Sequence, residues 1–154
     1  ALHAAARSGN TASLLSQLAA GASPNERGGD SRGPLHAAAQ GGCLEAVDLL
    51  LRAGAEVDAR SLWEITPLLE AAAEGHVGVA ERLLAAGAAP AAAGRDGFSA
   101  LHRAAEMGHT AVVELLLQQM PDADTRNSWG YTPLITASCK GHTAVVRALL
   151  RAGA

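Results

Sequence analysis

The chain has 154 residues, of which 49% are apolar, 3% aromatic and 18% charged, and its formal net charge is −3 at pH 7. Alanine and leucine dominate with 36 and 21 copies, which favours helices and disfavours a β-sandwich or barrel, whose strands need β-branched and aromatic residues. The apolar fraction argues against disorder, and the slightly negative charge excludes the broad positive field that non-specific nucleic-acid binding requires.

Three sequence markers recur every 33 residues from the first residues to the last, which indicates a tandem repeat. The first marker is a leucine near the start of each unit, often followed by histidine: Leu2-His3, Leu35-His36, Leu68, Leu101-His102 and Leu134. The second is a glycine: Gly9, Gly42, Gly75, Gly108 and Gly141. The third is a Gly-Ala pair at 21–22, 54–55, 87–88 and 153–154, which Met120-Pro121 replaces in the fourth unit.

Each unit is predicted to contain two helices joined by a tight turn. Thr66-Pro67 and Thr132-Pro133 supply an N-cap hydroxyl and a residue suited to the first helical turn. The glycine marker ends the first helix, the Gly-Ala pair ends the second, and a polar hairpin leads to the next unit. The predicted units are 1–24 (partial), 25–57, 58–90, 91–123 and 124–154, in one domain that we expect to be a piece of a longer protein.

This pattern resembles the ankyrin repeat over the whole chain. The motifs that carry the resemblance are Thr66-Pro67-Leu68, Thr132-Pro133-Leu134, Ala100-Leu101-His102, the Gly-His pairs at 75–76, 108–109 and 141–142, and the closing Gly-Ala. The resemblance implies an all-α solenoid of stacked helix–turn–helix layers with projecting β-hairpin fingers. It also implies protein–protein recognition through fingertips and inner helices, without catalysis or a cofactor.

Three departures from the repeat pattern predict local differences. Met120 precedes a proline and disfavours a positive φ, so the fourth unit is expected to end irregularly. Ser31 and Glu64 occupy finger positions where the equivalent residues are Gly97 and Gly130.

Asn25 occupies a position where the resemblance raises the question of hydroxylation, which the sequence leaves open.

No catalytic, metal or membrane site is predicted. The six histidines all fall on repeat positions, which places them in ladders rather than around one metal ion. Their expected role is structural hydrogen bonding. The longest apolar run, residues 83–93, is too short to span a bilayer. Cys43 and Cys139 are interpreted as reduced thiols of an intracellular protein, either cytoplasmic or nuclear.

The aromatic residues provide the candidate site, because all four lie on fingers and the stacked core needs none of them. We expect them to be exposed along one edge, with arginine beside them, as in protein interfaces. Variable residues at the ends of the first helices extend the same surface. The predicted partner-binding residues are Leu62, Trp63, Ile65, Arg95, Phe98, Met107, Ser128, Trp129, Tyr131 and Lys140.

Two alternatives to binding remain at these positions. Trp129 precedes a turn glycine and could simply brace neighbouring fingers, and the variable helix ends could be solvated surface.

For function, the sequence predicts a monomeric, non-catalytic module that binds a protein or peptide. The alternative is an adaptor or targeting segment of a multidomain enzyme such as a ubiquitin-ligase substrate receptor.

Overall fold

The computed structural model describes residues 2–154, which form ten helices in five consecutive pairs. The pairs are α1 (Leu2–Ser8) with α2 (Thr11–Ala19), α3 (Pro34–Gly41) with α4 (Leu44–Arg52), α5 (Pro67–Glu74) with α6 (Val77–Ala85), α7 (Ala100–Met107) with α8 (Thr110–Gln119), and α9 (Pro133–Lys140) with α10 (Thr143–Arg151). The odd-numbered helices contact one another in one row and the even-numbered helices in a second. This stack confirms the predicted all-α solenoid.

The ends of the first helices follow the predicted signals. The side chains of Thr66, Ser99 and Thr132 each accept a hydrogen bond from a backbone N–H three residues later, which satisfies donors that the helix leaves unpaired. At the other end of α5, Gly75 has a φ of 79°. A Cβ atom there would lie 2.6 Å from the ring Nδ1 of His109, so this turn requires glycine for both its backbone conformation and its packing.

The core combines alanines and the marker leucines of the first helices with leucine, valine and alanine side chains of the second helices. The alanine pairs of α3, α5 and α7 are fully buried, as are one leucine in each of the last four second helices: Leu50, Leu83, Leu116 and Leu149. Slim first helices allow neighbouring layers to approach, and each buried leucine contributes about 1.5–3 kcal/mol. The Ala- and Leu-rich composition is therefore a consequence of the stacking.

The first two layers are joined differently from the later ones. His76 reaches back from the start of α6 and contacts the carbonyl oxygen of Gln40 at 3.0 Å. At the equivalent position one unit earlier stands Cys43, whose Sγ lies 3.3 Å from the carbonyl oxygen of Arg7. The cysteine side chain is much shorter than histidine, and α1 lies close to α3 at this point. A Cβ atom at Gly41 would lie only 2.1 Å from that same oxygen.

All six histidines connect neighbouring units, which confirms their predicted structural role. The Nε2 atoms of His3, His36 and His102 lie 2.8–2.9 Å from finger carbonyl oxygens of the next unit. The Nε2 atoms of His76, His109 and His142 lie 2.9–3.0 Å from carbonyl oxygens near the end of the first helix of the previous unit. A carbonyl can only accept, so Nε2 carries the donating hydrogen in each case.

Two of these histidines should make folding stability depend on pH. Burial lowers the pKa of His36 and His102 below 6.5, against opposing hydrogen bonds to the carbonyls of Ile65 and Tyr131. Their Nδ1 atoms face backbone N–H groups, so a proton at Nδ1 would replace an acceptor by a donor. The unfolded chain therefore binds more protons than the fold just below pH 6.5, and stability should fall as the pH drops through that range.

The test compares the wild type with a His36→Gln, His102→Gln variant by urea unfolding between pH 5 and 8. As the pH falls below 6.5, the free energy of unfolding of the wild type should decrease by up to about 1.4 kcal/mol per pH unit for each of the two histidines. The variant is less stable at pH 8 but should have a shallower dependence. Parallel stability curves would show that the two histidines do not set the slope.

The segments between the helix pairs form four fingers, here defined as residues 25–33, 58–66, 91–99 and 124–132. In each finger a backbone N–H bonds the carbonyl four residues later and closes the tip: 28 to 32, 61 to 65, 94 to 98 and 127 to 131. Neighbouring fingers are joined by one backbone bond each, such as Arg95 N–H to the Trp63 carbonyl at 3.1 Å.

The fingers differ from extended β-hairpins. Within residues 2–154, the only β-bridge pairs Ala93 with Ser99. The Oγ of Ser61 accepts from two backbone N–H groups of its own finger, and the Oδ1 of Asn127 does the same. Side chains thus satisfy donors that a strand ladder would otherwise use.

The irregular end of the fourth unit is confirmed. Helix α8 stops at Gln119, and Met120 has extended backbone angles (φ −114°, ψ 126°). At the equivalent position, Gly21, Gly54, Gly87 and Gly153 have φ values of 90–93°. Methionine before proline avoids that conformation, and its side chain instead packs into the core, where it is 9% exposed.

Ser31 and Glu64 adopt the left-handed conformation of the glycines they replace, each with a φ of 60°. A non-glycine residue there costs about 1 kcal/mol.

Replacing Ser31 by glycine should therefore raise the free energy of unfolding by about 0.5 kcal/mol, after allowance for the entropy that glycine adds to the unfolded chain. Urea unfolding measures this; the matched Ser16→Gly in the exposed face of α2 should instead destabilise the chain.

Candidate functional site

Fingers two to four carry a groove of about 600 Å³ along one edge of the stack. Its lining residues are Trp63, Ile65, Arg95, Asp96, Arg103, Ser128 and Trp129. Five of these belong to the predicted partner-binding set. The volume lies within the range of about 300–1,000 Å³ that ligand sites occupy.

The two tryptophans form the walls of the groove. Trp63 is 61% exposed and Trp129 is 65% exposed, which is unusual for the largest apolar side chain. They hold equivalent tip positions two units apart, and the finger between them carries Asp96 followed by Gly97 at the same place. The groove is open because this middle finger has no bulky side chain at its tip.

The backbones of both tryptophans are fixed although their side chains are exposed. The N–H of Trp63 bonds the Ser61 Oγ at 3.3 Å, and the N–H of Trp129 bonds the Asn127 Oδ1 at 2.9 Å. The Trp63 carbonyl is held by the next finger. The indoles are therefore presented from a positioned backbone, which lowers the entropic cost of binding.

The expectation that all four aromatic residues are exposed is wrong for Phe98, which is 9% exposed. Its ring meets Trp129 edge-on, with centroids 6.0 Å apart, and lies 5.4 Å from the ring of His102. The guanidinium of Arg103 covers it at 4.6 Å. Phe98 is therefore enclosed by Trp129, His102 and Arg103 and supports the Trp129 ring, whereas Tyr131 at the same repeat position is 50% exposed.

Two lining residues, Asp96 and Arg103, were missed by the sequence-based prediction. They form an ion pair at the floor of the groove. Arg103 stands at a position occupied by Ala4, Ala37 and Thr136 in other units. The signal was a charged residue at a repeat position that holds a small side chain in three of the five units.

A second, smaller groove of about 230 Å³ shares Ile65 and Arg103 with the first. It runs along the first helices to Met107, which is 55% exposed. The structure therefore links Met107 to the tryptophan groove.

The floor of this second groove contains a buried acid, Glu70, which is 6% exposed. Burial raises the pKa of its carboxyl group, against the opposing charge of Arg32. The Arg32 Nη2 lies 2.9 Å from the Glu70 Oε1. Glu70 stands one unit before Arg103 at the same repeat position. The two charged residues at this position therefore belong to adjacent units.

The remaining predicted residues lie outside the two grooves. Leu62 on the second finger and Tyr131 on the fourth are 51% and 50% exposed. Lys140 is exposed at the end of α9, with its Nζ 3.9 Å from Glu106.

The described part of the chain has neither a candidate metal site nor a membrane-spanning helix. Within residues 2–154, no three His, Cys, Asp or Glu side chains are grouped so that they could hold a metal ion. In that same part of the chain, no helix has the length and apolar character needed to cross a bilayer.

Comparison with known proteins identifies the repeat. A family model described as ankyrin repeats, three copies long, matches residues 2–93 and again residues 68–154. The two matches overlap and together extend over nearly the whole chain. Comparison with curated proteins gave no match.

Proposed function

The chain belongs to the ankyrin-repeat family, and from this premise we propose that it is a non-catalytic module that binds a protein or peptide between its second and fourth fingers. Members of the family generally act as protein–protein interaction modules. The proposed contact surface is the groove between Trp63 and Trp129, continued along the first helices to Met107. The exposed fingertip residues Leu62 and Tyr131 and the helix-end Lys140 border it.

The observation that carries this proposal is the pair of exposed indoles facing one groove. Tryptophan, tyrosine and arginine dominate the binding energy of protein interfaces. Two indoles on fixed backbones, with Ile65 between the grooves, form an apolar surface that a partner side chain can cover. Bracing of neighbouring fingers alone does not explain Trp63, because it is 61% exposed.

The proposal includes a monomeric state and an intracellular location, in cytoplasm or nucleus. Both cysteines are free thiols, with Cys139 exposed, which suits a reducing compartment.

The test is capture of proteins from a cell lysate by the immobilised wild-type chain and by a Trp63→Ala, Trp129→Ala variant. Proteins that bind through the groove should be retained by the wild type and lost from the variant. A Leu15→Ala variant is the matched control, because Leu15 is 51% exposed on α2. Identical capture by all three chains would refute the site.

A further inference from the structure

We propose that the groove takes an extended peptide segment in which one bulky apolar side chain is accompanied by a nearby acidic side chain. This inference rests on the proposed function and names the chemistry of the partner. The apolar side chain would sit between Trp63 and Trp129, and the acidic side chain would pair with Arg95.

The apolar half of the proposal follows from the walls of the groove. Trp63, Trp129 and Ile65 line it, and Phe98 lies beneath Trp129 as an aromatic support. Aromatic side chains prefer edge-to-face or offset packing on such surfaces. A leucine or aromatic side chain of a partner would therefore bury itself against both indoles.

The acidic half follows from an inventory of the charges around the groove. Asp96 is already paired with Arg103, and Glu106 lies 3.6 Å from Arg103 and 3.9 Å from Lys140. On the second finger, Arg60 is paired with Glu64 at 2.8 Å. The acids nearest the groove thus have cationic neighbours, and a basic partner would find no free carboxylate at its floor.

Arg95 is the exception. It lines the groove, and no carboxylate of residues 2–154 lies within ion-pair distance of it, whereas Arg60 has one carboxylate neighbour and Arg103 has two. Its guanidinium lies 5.9 Å from the centre of the Trp63 ring. A partner carboxylate that pairs with Arg95 would therefore lie beside the indole that holds the apolar anchor.

The extended form of the peptide follows from the shape of the site. The tryptophan groove and the smaller groove meet at Ile65 and Arg103, which gives a continuous path from the fingertips to Met107. Each indole also carries an N–H donor, and a peptide in extended conformation offers unpaired carbonyl oxygens along its length.

The experiment is selection of a phage-displayed library of random dodecapeptides on the wild-type chain and, in parallel, on Arg95→Glu. Wild-type selections should be enriched in a leucine or aromatic residue with Asp or Glu at a fixed spacing. Selections on Arg95→Glu should keep the apolar residue and replace the acid by Lys or Arg. Arg52→Glu is the matched control, since it changes net charge equally at an exposed position on α4 and should leave the acidic preference intact.

Individual peptides then give the quantitative test by calorimetry. A wild-type-selected peptide should bind Arg95→Glu at least about tenfold more weakly, with Arg95→Gln between the two, and its affinity should fall with added salt. Selection of basic peptides by the wild type, or the same charge preference in Arg95→Glu, would overturn the inference.

The two proposals fail in different ways. If selected peptides depend on the tryptophans but show no acidic preference, the groove binds peptides and only the charge assignment is wrong. If the peptides bind the Trp63→Ala, Trp129→Ala variant unchanged, the groove itself is not the site, and both proposals are wrong.

Discussion

Replacing Trp63 and Trp129 together by alanine should weaken groove-binding peptides by at least about 100-fold, because interface tryptophans commonly contribute about 2 kcal/mol or more each. Both indoles line one groove, so their contributions are coupled and need not add. Calorimetry with peptides selected on the wild type measures the effect. Each single variant should lose a substantial part of the affinity.

The fold should survive this double substitution. Both residues are more than 60% exposed. Among residues 2–154, the only contact of either indole with another aromatic ring is between Trp129 and Phe98, and the Arg95 guanidinium lies 5.9 Å from the centre of the Trp63 ring. Far-ultraviolet circular dichroism should show unchanged helix content, and stability should fall by only about 1 kcal/mol, the value of one aromatic pair. Phe98 is unsuitable for the same test because its removal would open a buried space.

The matched controls remove exposed apolar side chains elsewhere. Leu15 on α2 and Leu150 on α10 are 51% and 55% exposed. Their alanine variants should bind the selected peptides like the wild type. Equal losses in these controls and in the tryptophan variant would show that the peptides recognise general apolar surface.

Replacing Gly41 by alanine should detach the first helix pair from the rest of the stack. The new Cβ would lie 2.1 Å from the carbonyl oxygen of Arg7, and a backbone atom cannot move aside as a flexible side chain can. Overpacking of this kind costs about 1–3 kcal/mol and occasionally more. Because each layer contacts only its neighbours, the cost falls on the contact between α1 and α3.

Amide hydrogen exchange followed by mass spectrometry separates this local effect from general unfolding. Exchange should rise in residues 2–20 of Gly41→Ala and stay unchanged in residues 67–151. The control is Gly29→Ala, because a Cβ there meets no atom within 4 Å. A uniform rise in exchange along the chain would contradict the layered account.

A second substitution tests the cause of the close approach. Cys43→His restores the longer side chain that later units use at this position, and it should widen the space between α1 and α3. The double variant Gly41→Ala, Cys43→His should therefore be more stable than the sum of the single effects by about 1 kcal/mol. Strict additivity would show that Cys43 does not set the spacing.

The sequence predicted the fold in detail because the repeat places the same signal in every unit. The Thr66 N-cap, the Gly75 turn and the irregular end at Met120 are local features, and each follows from the conformations open to one residue and its neighbours. The sequence also predicted that the histidines make structural hydrogen bonds, although it did not identify the carbonyl groups that accept them.

The site was predicted less completely. Trp63, Ile65, Arg95, Ser128 and Trp129 do line one groove, since equivalent repeat positions lie on the same edge of a stack. Phe98 was misplaced because a repeat position fixes where the backbone lies but not whether the side chain turns to solvent or core. The Asp96–Arg103 pair was missed because its members lie seven residues apart, one on a finger and one on a helix.

By itself the sequence determined the helix pairs, the stacking order and the edge on which the aromatic residues lie, because these follow from local conformational preferences repeated at a fixed period. Only the tertiary structure decided which side chains are free to bind. Ion pairs at and beside the groove use the charges of Asp96, Arg103, Arg60 and Glu64, whereas no carboxylate of residues 2–154 pairs with Arg95. That outcome depends on distances between side chains from different elements, which no periodicity in the sequence specifies.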